Sequence, residues 1–329
     1  MKDTLEHLLE RLSGRRVLVI GDVMLDEYLM GDTRRISPEA PVLVVDVQEM
    51  RWAPGGAANV AANVRALGGE VSIVGVTGCD EAGRRLAEQL EALGVRTDGL
   101  VQDPHTCTTL KTRIIAANQQ VVRVDRERRC RPEGVVLRRL RESIRDCLSR
   151  VDAVVASDYD KGLVGQLIQD AIAQARERGI VFTSNPKPRN LRWFRGADLI
   201  TLNQVEAEAA SGVEIRDEST VERAGSRILK RAGAGNVIIT RGAHGMTVFH
   251  GDAQVEHIPV MPVEVFDVAG AGDTVVSTLT LALAAGADIV TAARLANFAG
   301  ASVVRKLGVQ TAVPAEIAHL IRHARENGL

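Results

Sequence analysis

DVAGAGD, residues 267–273, runs directly into the apolar segment TVVSTLTLALAAGA at 274–287. Three small residues, Gly270, Ala271 and Gly272, let the backbone turn tightly and aim N–H groups at whatever lies before the next helix. A helix beginning there adds the positive end of its dipole, so the stretch reads as an anion cradle. Asp273 puts a carboxylate at the same spot, which is repulsive unless that carboxylate has chemistry to perform. Phosphoryl transfer accounts for both: Asp273 takes the proton of an attacking hydroxyl while the amides of Gly270, Ala271 and Gly272 steady the transferred group. The plainer alternative is an aspartate helix cap after a glycine-rich turn.

Outward from this stretch, short apolar runs alternate with segments of helical period. The runs are VLVI (17–20), SIVGV (72–76), AVVAS (153–157), IVFTS (180–184), DLITL (198–202) and VIIT (237–240). Helical patterns occupy 57–67, 81–93, 133–149, 163–179 and 219–233. This rhythm predicts an α/β fold with a mostly parallel sheet covered on both faces, whose ligands bind beyond the carboxyl ends of the strands. Two regions break it. VLVVDV (42–47) and the pair TTLKTRII (108–115) and QVVRVD (120–125) are β-branched and joined by short polar turns, the signature of a small antiparallel sheet set apart as a lid or a dimer face.

Composition sets mild bounds. The 329 residues, 45% of them hydrophobic, can bury a large core, and a formal net charge of −1 recruits neither nucleic acid nor an anionic membrane. Four cysteines without CxxC spacing argue against a disulfide framework or a zinc site, and no apolar run has membrane-spanning length. A cytoplasmic setting is the expectation. Basic residues cluster at RERRCR (126–131), read as a solvated turn before a helix.

VLVIGDVMLDEYLMGDTRRISPEAPV (17–42), PGGAANVAANVRALGG (54–69) and DVAGAGDT (267–274), in that order, resemble the ribokinase-like sugar kinases of the PfkB family. GDVMLDEY (21–28), RISPEAPV (35–42), NQQVVRVD (118–125) and SDYDKG (157–162) look like its D-glycero-D-manno-heptose-7-phosphate kinase branch. The resemblance implies a three-layer α/β/α domain over 1–329, with lid strands from about 27–50 and 105–126. It also implies transfer from ATP, with Mg2+, to the anomeric hydroxyl of the heptose 7-phosphate, giving a 1,7-bisphosphate that feeds lipopolysaccharide synthesis. A monovalent cation is a further candidate cofactor, and a homodimer through the lid is the expected assembly. Some relatives carry a nucleotidyltransferase domain after the kinase; with Leu329 as the last residue, that step is expected from a separate protein. A kinase of fructose, ribose or their phosphates, or a silent sugar-phosphate sensor, stays open as an alternative.

Individual residues follow. Asp22 and Asp26, after the first strand, are placed to accept hydrogen bonds from sugar hydroxyls. Gly55 and Gly56 let a sugar approach the backbone, and Asn59 offers donor and acceptor one turn on. A phosphate already on the substrate needs fixed positive charge, for which Arg34, Arg35, Lys111, Arg113, Arg123, Lys161 and Lys187 are candidates, with Lys161, Lys187 and one lid arginine favoured. Asn203 and Glu206 match the family's NxxE pair, implied to organise magnesium through water from Glu206; the same spacing also fits a helix capping box. TRGAHG (240–245) resembles the nucleotide loop, with Thr240, Gly242 and Gly245 at the phosphates, and Asn297 is placed near adenine by position. Three departures from the heptose kinases stand out: Asn185 precedes Pro186-Lys187 where an aspartate is usual, Ala269 stands where a threonine is usual and removes a hydroxyl next to the anion cradle, and Asp160 occupies a position where a small residue is commoner.

Overall fold

The computed structural model describes residues 2–117, 119–251 and 254–327; Asn118 of the NQQVVRVD motif lies outside the described residues. The first strand, Arg16–Gly21 (β1), is apolar on both sides. Val17 and Val19 belong to one core, Leu18 and Ile20 to the other, and all four are fully buried. Such a strand must sit inside a sheet covered on both faces. Around it lie Glu70–Gly78 (β4), Arg96–Asp103 (β5), Ala153–Ser157 (β8), Val181–Asn185 (β9), Leu199–Asn203 (β10) and Asn236–Thr240 (β11), all parallel. Met246–His250 (β12) and Val255–Ile258 (β13) add an antiparallel edge, giving the nine-stranded order β13-β12-β11-β10-β9-β8-β1-β4-β5.

One face carries Lys2–Arg11 (α1), Ala57–Ala66 (α2), Glu81–Ala92 (α3), Ala271–Ala284 (α8), Ile289–Val303 (α9) and Pro314–Glu326 (α10). The other carries Gly134–Leu148 (α4), Gln166–Glu177 (α5), Gln204–Ser211 (α6) and Glu218–Ala232 (α7). Helix α8 is buried all round from Asp273 to Ala282. Its hydroxyls satisfy themselves by bonding back one turn, Ser277 to Asp273 O, Thr278 to Thr274 O and Thr280 to Val276 O.

The lid is a four-stranded sheet, ordered β3-β2-β6-β7, from Val23–Ile36 (β2), Leu43–Gly56 (β3), Thr109–Ala116 (β6) and Gln119–Arg126 (β7). Its two hairpins are antiparallel as expected, but the central pair, β2 and β6, is parallel, Asp26 opposite Lys111 and Tyr28 opposite Arg113. A long crossover through the main sheet separates these two strands in sequence, and such a connection permits the parallel sense. Strands β2 and β3 are each 14 residues long, well beyond the VLVVDV run that announced them. All four cysteines are free thiols.

Candidate active site

The parallel strands end in a row of polar residues. Gly21, Ser157 and Asn185 are in register across β1, β8 and β9, and Asn203 is in register with Thr240 across β10 and β11. Helix α8 approaches this edge with its N-terminus. Gly270 takes the left-handed conformation (φ 79°) that lets the chain turn into the helix, and it is the residue that caps it. Asp273, in the first turn, caps nothing; its carboxylate points back to Asn59 and Tyr159, so the helix-cap alternative falls. One refinement concerns the amides. Ala271 N–H donates to Val268 O at 3.3 Å, whereas those of Gly270, Gly272 and Asp273 meet no acceptor among the described residues. The free donors of the cradle are therefore shifted toward the helix.

Asp273 is 6% exposed. Asn59 Nδ2 donates to its Oδ2 at 2.7 Å and the Tyr159 hydroxyl to its Oδ1 at 2.7 Å. Burial raises this carboxyl to about 6, against the pull of these two donors and of Lys187, and the charge of Asp26 pushes the same way as burial. A carboxylate that ionises near neutrality and opens onto a cavity suits a general base. Asn59 is itself held by Asn63, which also receives the Thr274 hydroxyl.

Asp273 shares a cavity of about 180 Å³ with Tyr159, Asn185, Lys187, Asn203, Glu206 and Gly272. Asn203, Thr240, Gly272 and Val275 also line a larger, mostly apolar slot of about 760 Å³. That slot takes in the TRGAHG loop, Met261, Val263 and Asn297. A flat ring fits such walls, and the size lies within the range of small-molecule sites. Arg241 lines the slot, and its buried Nε has no hydrogen-bond partner among the described residues. Asn297 lines the slot while its Nδ2 donates to Pro259 O at 2.8 Å. Gly242 and Gly245 sit at φ 55° and 73°, in the hairpin between β11 and β12, and both line the slot.

Asn203 and Glu206 form the capping box of α6 in full. Asn203 Oδ1 accepts the Glu206 amide at 2.8 Å and Glu206 Oε2 accepts the Asn203 amide at 3.0 Å. The remaining oxygen, Oε1, receives Lys187 Nζ at 2.5 Å. A carboxylate oxygen that already seats a cation beside the Asp273 cavity fits a metal that keeps most of its water. Among the described residues no three acidic, histidine or cysteine side chains cluster into a direct cage.

Asp22, expected to meet sugar hydroxyls, engages backbone amides in this structure. Its Oδ2 accepts the amides of Tyr159 (2.8 Å) and Lys161 (3.0 Å), and its Oδ1 that of Leu163 (3.4 Å), so it fastens the loop after β8. Asp26 pairs with Arg113 at 2.5 Å. The space at Gly55 is already filled, since a Cβ there would lie 2.4 Å from Asp26 Oδ2, and Gly56 is needed for its φ of 58°. Neither position has room for a larger side chain without strain. Lys161 Nζ reaches Glu127 at 2.6 Å and Lys111 Nζ reaches Asp125 at 3.0 Å. Arg34, a candidate for the substrate's phosphate, has a side chain 73% exposed that pairs with Asp32 on the lid and lines neither of these two cavities. Asp160 takes a left-handed φ of 60°, which explains why small residues suit the position, and its carboxylate pairs with Arg129 and Arg189.

Two residues escaped the sequence reading. Asp158, fully buried, accepts the amides of Asp160 and Lys187 and ties the loop after β8 to the one after β9. Tyr159 supplies half of the hydrogen bonding to Asp273. Both lie in SDYDKG, quoted above as a pattern without a role for either.

An amide cradle, a carboxylate near its titration midpoint and an apolar slot meeting at Gly272 are what transfer of a phosphoryl group from a nucleotide to a small hydroxyl compound requires. Fold and site thus define a phosphotransferase. The chain belongs to the pfkB family of carbohydrate kinases, whose model matches residues 15–316. It is 46% identical over 317 residues to the "Bifunctional protein HldE" of Geobacter metallireducens and 45% identical to that of Geobacter sulfurreducens, each match covering 96% of this chain. The chain spans 65% of the length of these curated relatives. Among solved structures, phosphofructokinase-2 from Escherichia coli in complex with potassium superposes with a TM-score of 0.79 at 19% identity, covering 95% of this chain and 99% of that one. Arabidopsis thaliana ribokinase complexed with ribose and ATP gives 0.74 at 17%, covering 94% and 99%. These two share the fold. Members of the family are ATP-dependent sugar kinases, and so is this chain. No helix among the described residues is long and apolar enough to cross a membrane.

Proposed function

We propose that this kinase phosphorylates the anomeric O1 of D-glycero-β-D-manno-heptose 7-phosphate. The single observation that carries the catalytic part is Asp273, buried and doubly hydrogen-bonded, beside free amides at the start of α8. The acceptor hydroxyl gives its proton to Asp273 and its oxygen forms the new bond to the γ-phosphorus of ATP. The bond from that phosphorus to the bridging oxygen breaks, and ADP leaves with the electron pair. Amides of Gly270, Gly272 and Asp273, with the helix dipole, face the charge that develops on the transferred group. Glu206 and Asn203 would hold a magnesium ion through water, and that ion would supply neutralisation of phosphate charge when bound. Lys187, paired with Glu206 in the Asp273 cavity, would add positive charge for the same phosphates.

The choice of acceptor rests on the motifs at 21–28, 35–42 and 157–162, on the likeness to the HldE proteins, and on charge. On the inner lid and the loop after β8, the acidic partners that Lys111, Arg123 and Lys161 have among the described residues are Asp125 and Glu127. A surplus cation at a partly shielded site suits a substrate that brings a phosphate. The edge strands of the lid expose Leu43, Val47, Val121, Val122 and Val124, which supports a homodimer through that face. A cytoplasmic location and a monovalent cation near the cradle complete the reading. The test is magnesium-dependent ADP release with heptose 7-phosphate beside fructose, ribose and their phosphates. Selective turnover of the heptose phosphate is expected; preference for another sugar keeps the mechanism and removes the acceptor.

A further inference from the structure

Two donors hold Asp273, and only one of them, Asn59, comes from a helix. The other, Tyr159, hangs from a loop that the fold takes unusual care to fix. Asp22 captures the amides of Tyr159, Lys161 and Leu163, and Asp158 captures those of Asp160 and Lys187 while Asn190 Nδ2 donates to both of its oxygens, at 3.2 and 3.0 Å. Above the Tyr159 ring lies Lys187 Nζ, 5.0 Å from its centre. Burial, with the charge of Asp273, pushes the phenol well above its ordinary range, so it is a donor throughout the pH range of a cytoplasmic enzyme.

We propose that Tyr159 is the positioning residue of the transfer, its hydroxyl fixing Oδ1 of Asp273 so that the carboxylate keeps both its orientation and its charge while a remaining lone pair takes the acceptor's proton. Burial works against that charge, and only donors can offset it. The groups facing Asp273 are few: Asn59 on α2 and Tyr159 donate, Lys187 after β9 attracts, and Asp26 on β2 repels; Glu206 on α6 acts on Tyr159. Deleting one of two hydrogen bonds therefore leaves a carboxylate that is harder to ionise and free to turn.

Tyr159→Phe removes the hydroxyl and keeps the ring. The expected result is an acid limb of kcat/KM moved up by about one pH unit, the size of one hydrogen bond to a charged group. Above the limb, kcat should fall about tenfold with the sugar KM changed less than about twofold, the pattern of a lost transition-state contact. A limb left in place with a raised KM would make Tyr159 a wall of the sugar site and overturn the proposal.

A second measurement needs neither turnover nor a mutant at 159. The chain has two tyrosines, Tyr28 and Tyr159. With 3-fluorotyrosine incorporated and Tyr28→Phe used for assignment, the fluorine resonance of Tyr159 should titrate with a midpoint near 6, and Asp273→Asn should abolish that titration. A flat signal between about pH 5 and 8 would sink the idea. The proposal rests on Asp273 as the base, and the two fail separately. Undiminished turnover in Asp273→Asn removes the base, whereas a flat fluorine signal removes only the Tyr159 contact.

Discussion

Asp22 and Asp273 are a matched pair with opposite employment. Both are buried, at 5% and 6% exposure, both stand at the carboxyl edge of the sheet, and burial raises each to about 6. Asp22 spends its oxygens on three backbone amides, so it is a fastener for the loop after β8. Asp273 is held by two side chains and opens onto a cavity. Depth and titration alone do not separate a base from a strut. The nature of the donors does: backbone amides immobilise chain, while side-chain donors leave the carboxylate presented to a ligand.

Asp273→Asn should break the comparison most visibly. Turnover is expected to fall by about 10²–10⁴-fold, with sugar binding and melting temperature nearly kept. Asp22→Asn should do the reverse, costing about 1–3 kcal/mol of stability as an amide NH2 is turned toward backbone donors, with a smaller loss of turnover per folded molecule. Equal losses of turnover at unchanged stability would erase the distinction. Next in size is a KM effect: Lys161→Met should raise the KM for the sugar phosphate by about tenfold or more and leave that of an unphosphorylated sugar unchanged, measured side by side.

The pH dependences should oppose one another. Both carboxyls have folded values above 3.8, so the native state holds protons that the unfolded chain gives up between pH 3.8 and about 6. Their contribution to stability is complete below the unfolded value and is lost as pH rises through about 6. With Asp273 as the proposed base, turnover needs its ionised form and should rise over the same interval. Melting curves at the two ends of this window should show a weaker pH dependence in Asp273→Asn than in the wild type. The smallest effect is expected at Arg34. Its exposed pair with Asp32 should be worth no more than about 1 kcal/mol, and Arg34→Ala should leave the KM for sugar phosphate unchanged.

Much of this was legible in the chain. The apolar runs at 17–20, 153–157 and 237–240 became β1, β8 and β11 because parallel strands buried on both faces need no alternation. The turn into α8 was legible because glycine at φ 79° and a following apolar helix are local facts. Strand β5 was not, since RTDGLVQD carries Asp98 and Gly99 where a strand propensity scale expects neither. Tyr159 was invisible for another reason: its partner lies 114 residues away, and no local pattern announces a contact made by tertiary folding. Asp22 was legible as a polar residue at the strand end, but its three amide partners were not, because backbone amides leave no mark in a sequence.

The parallel pairing of β2 with β6 has a consequence for how the molecule comes together. Met24 lies opposite Thr109 in that pairing, with two strands of the main sheet and two helices between them in the chain. The lid thus cannot form as an isolated hairpin unit; its central seam closes only after the sheet has brought the two segments side by side, and long-range pairings of this kind are slow. Refolding should then show the body assembling ahead of the lid, with Trp193 on the body reporting the early phase and Trp52 on β3 the late one. On the proposed function, a chain whose lid has not yet closed would not have its inner-lid cations in place, so it should hold nucleotide before it holds the sugar phosphate.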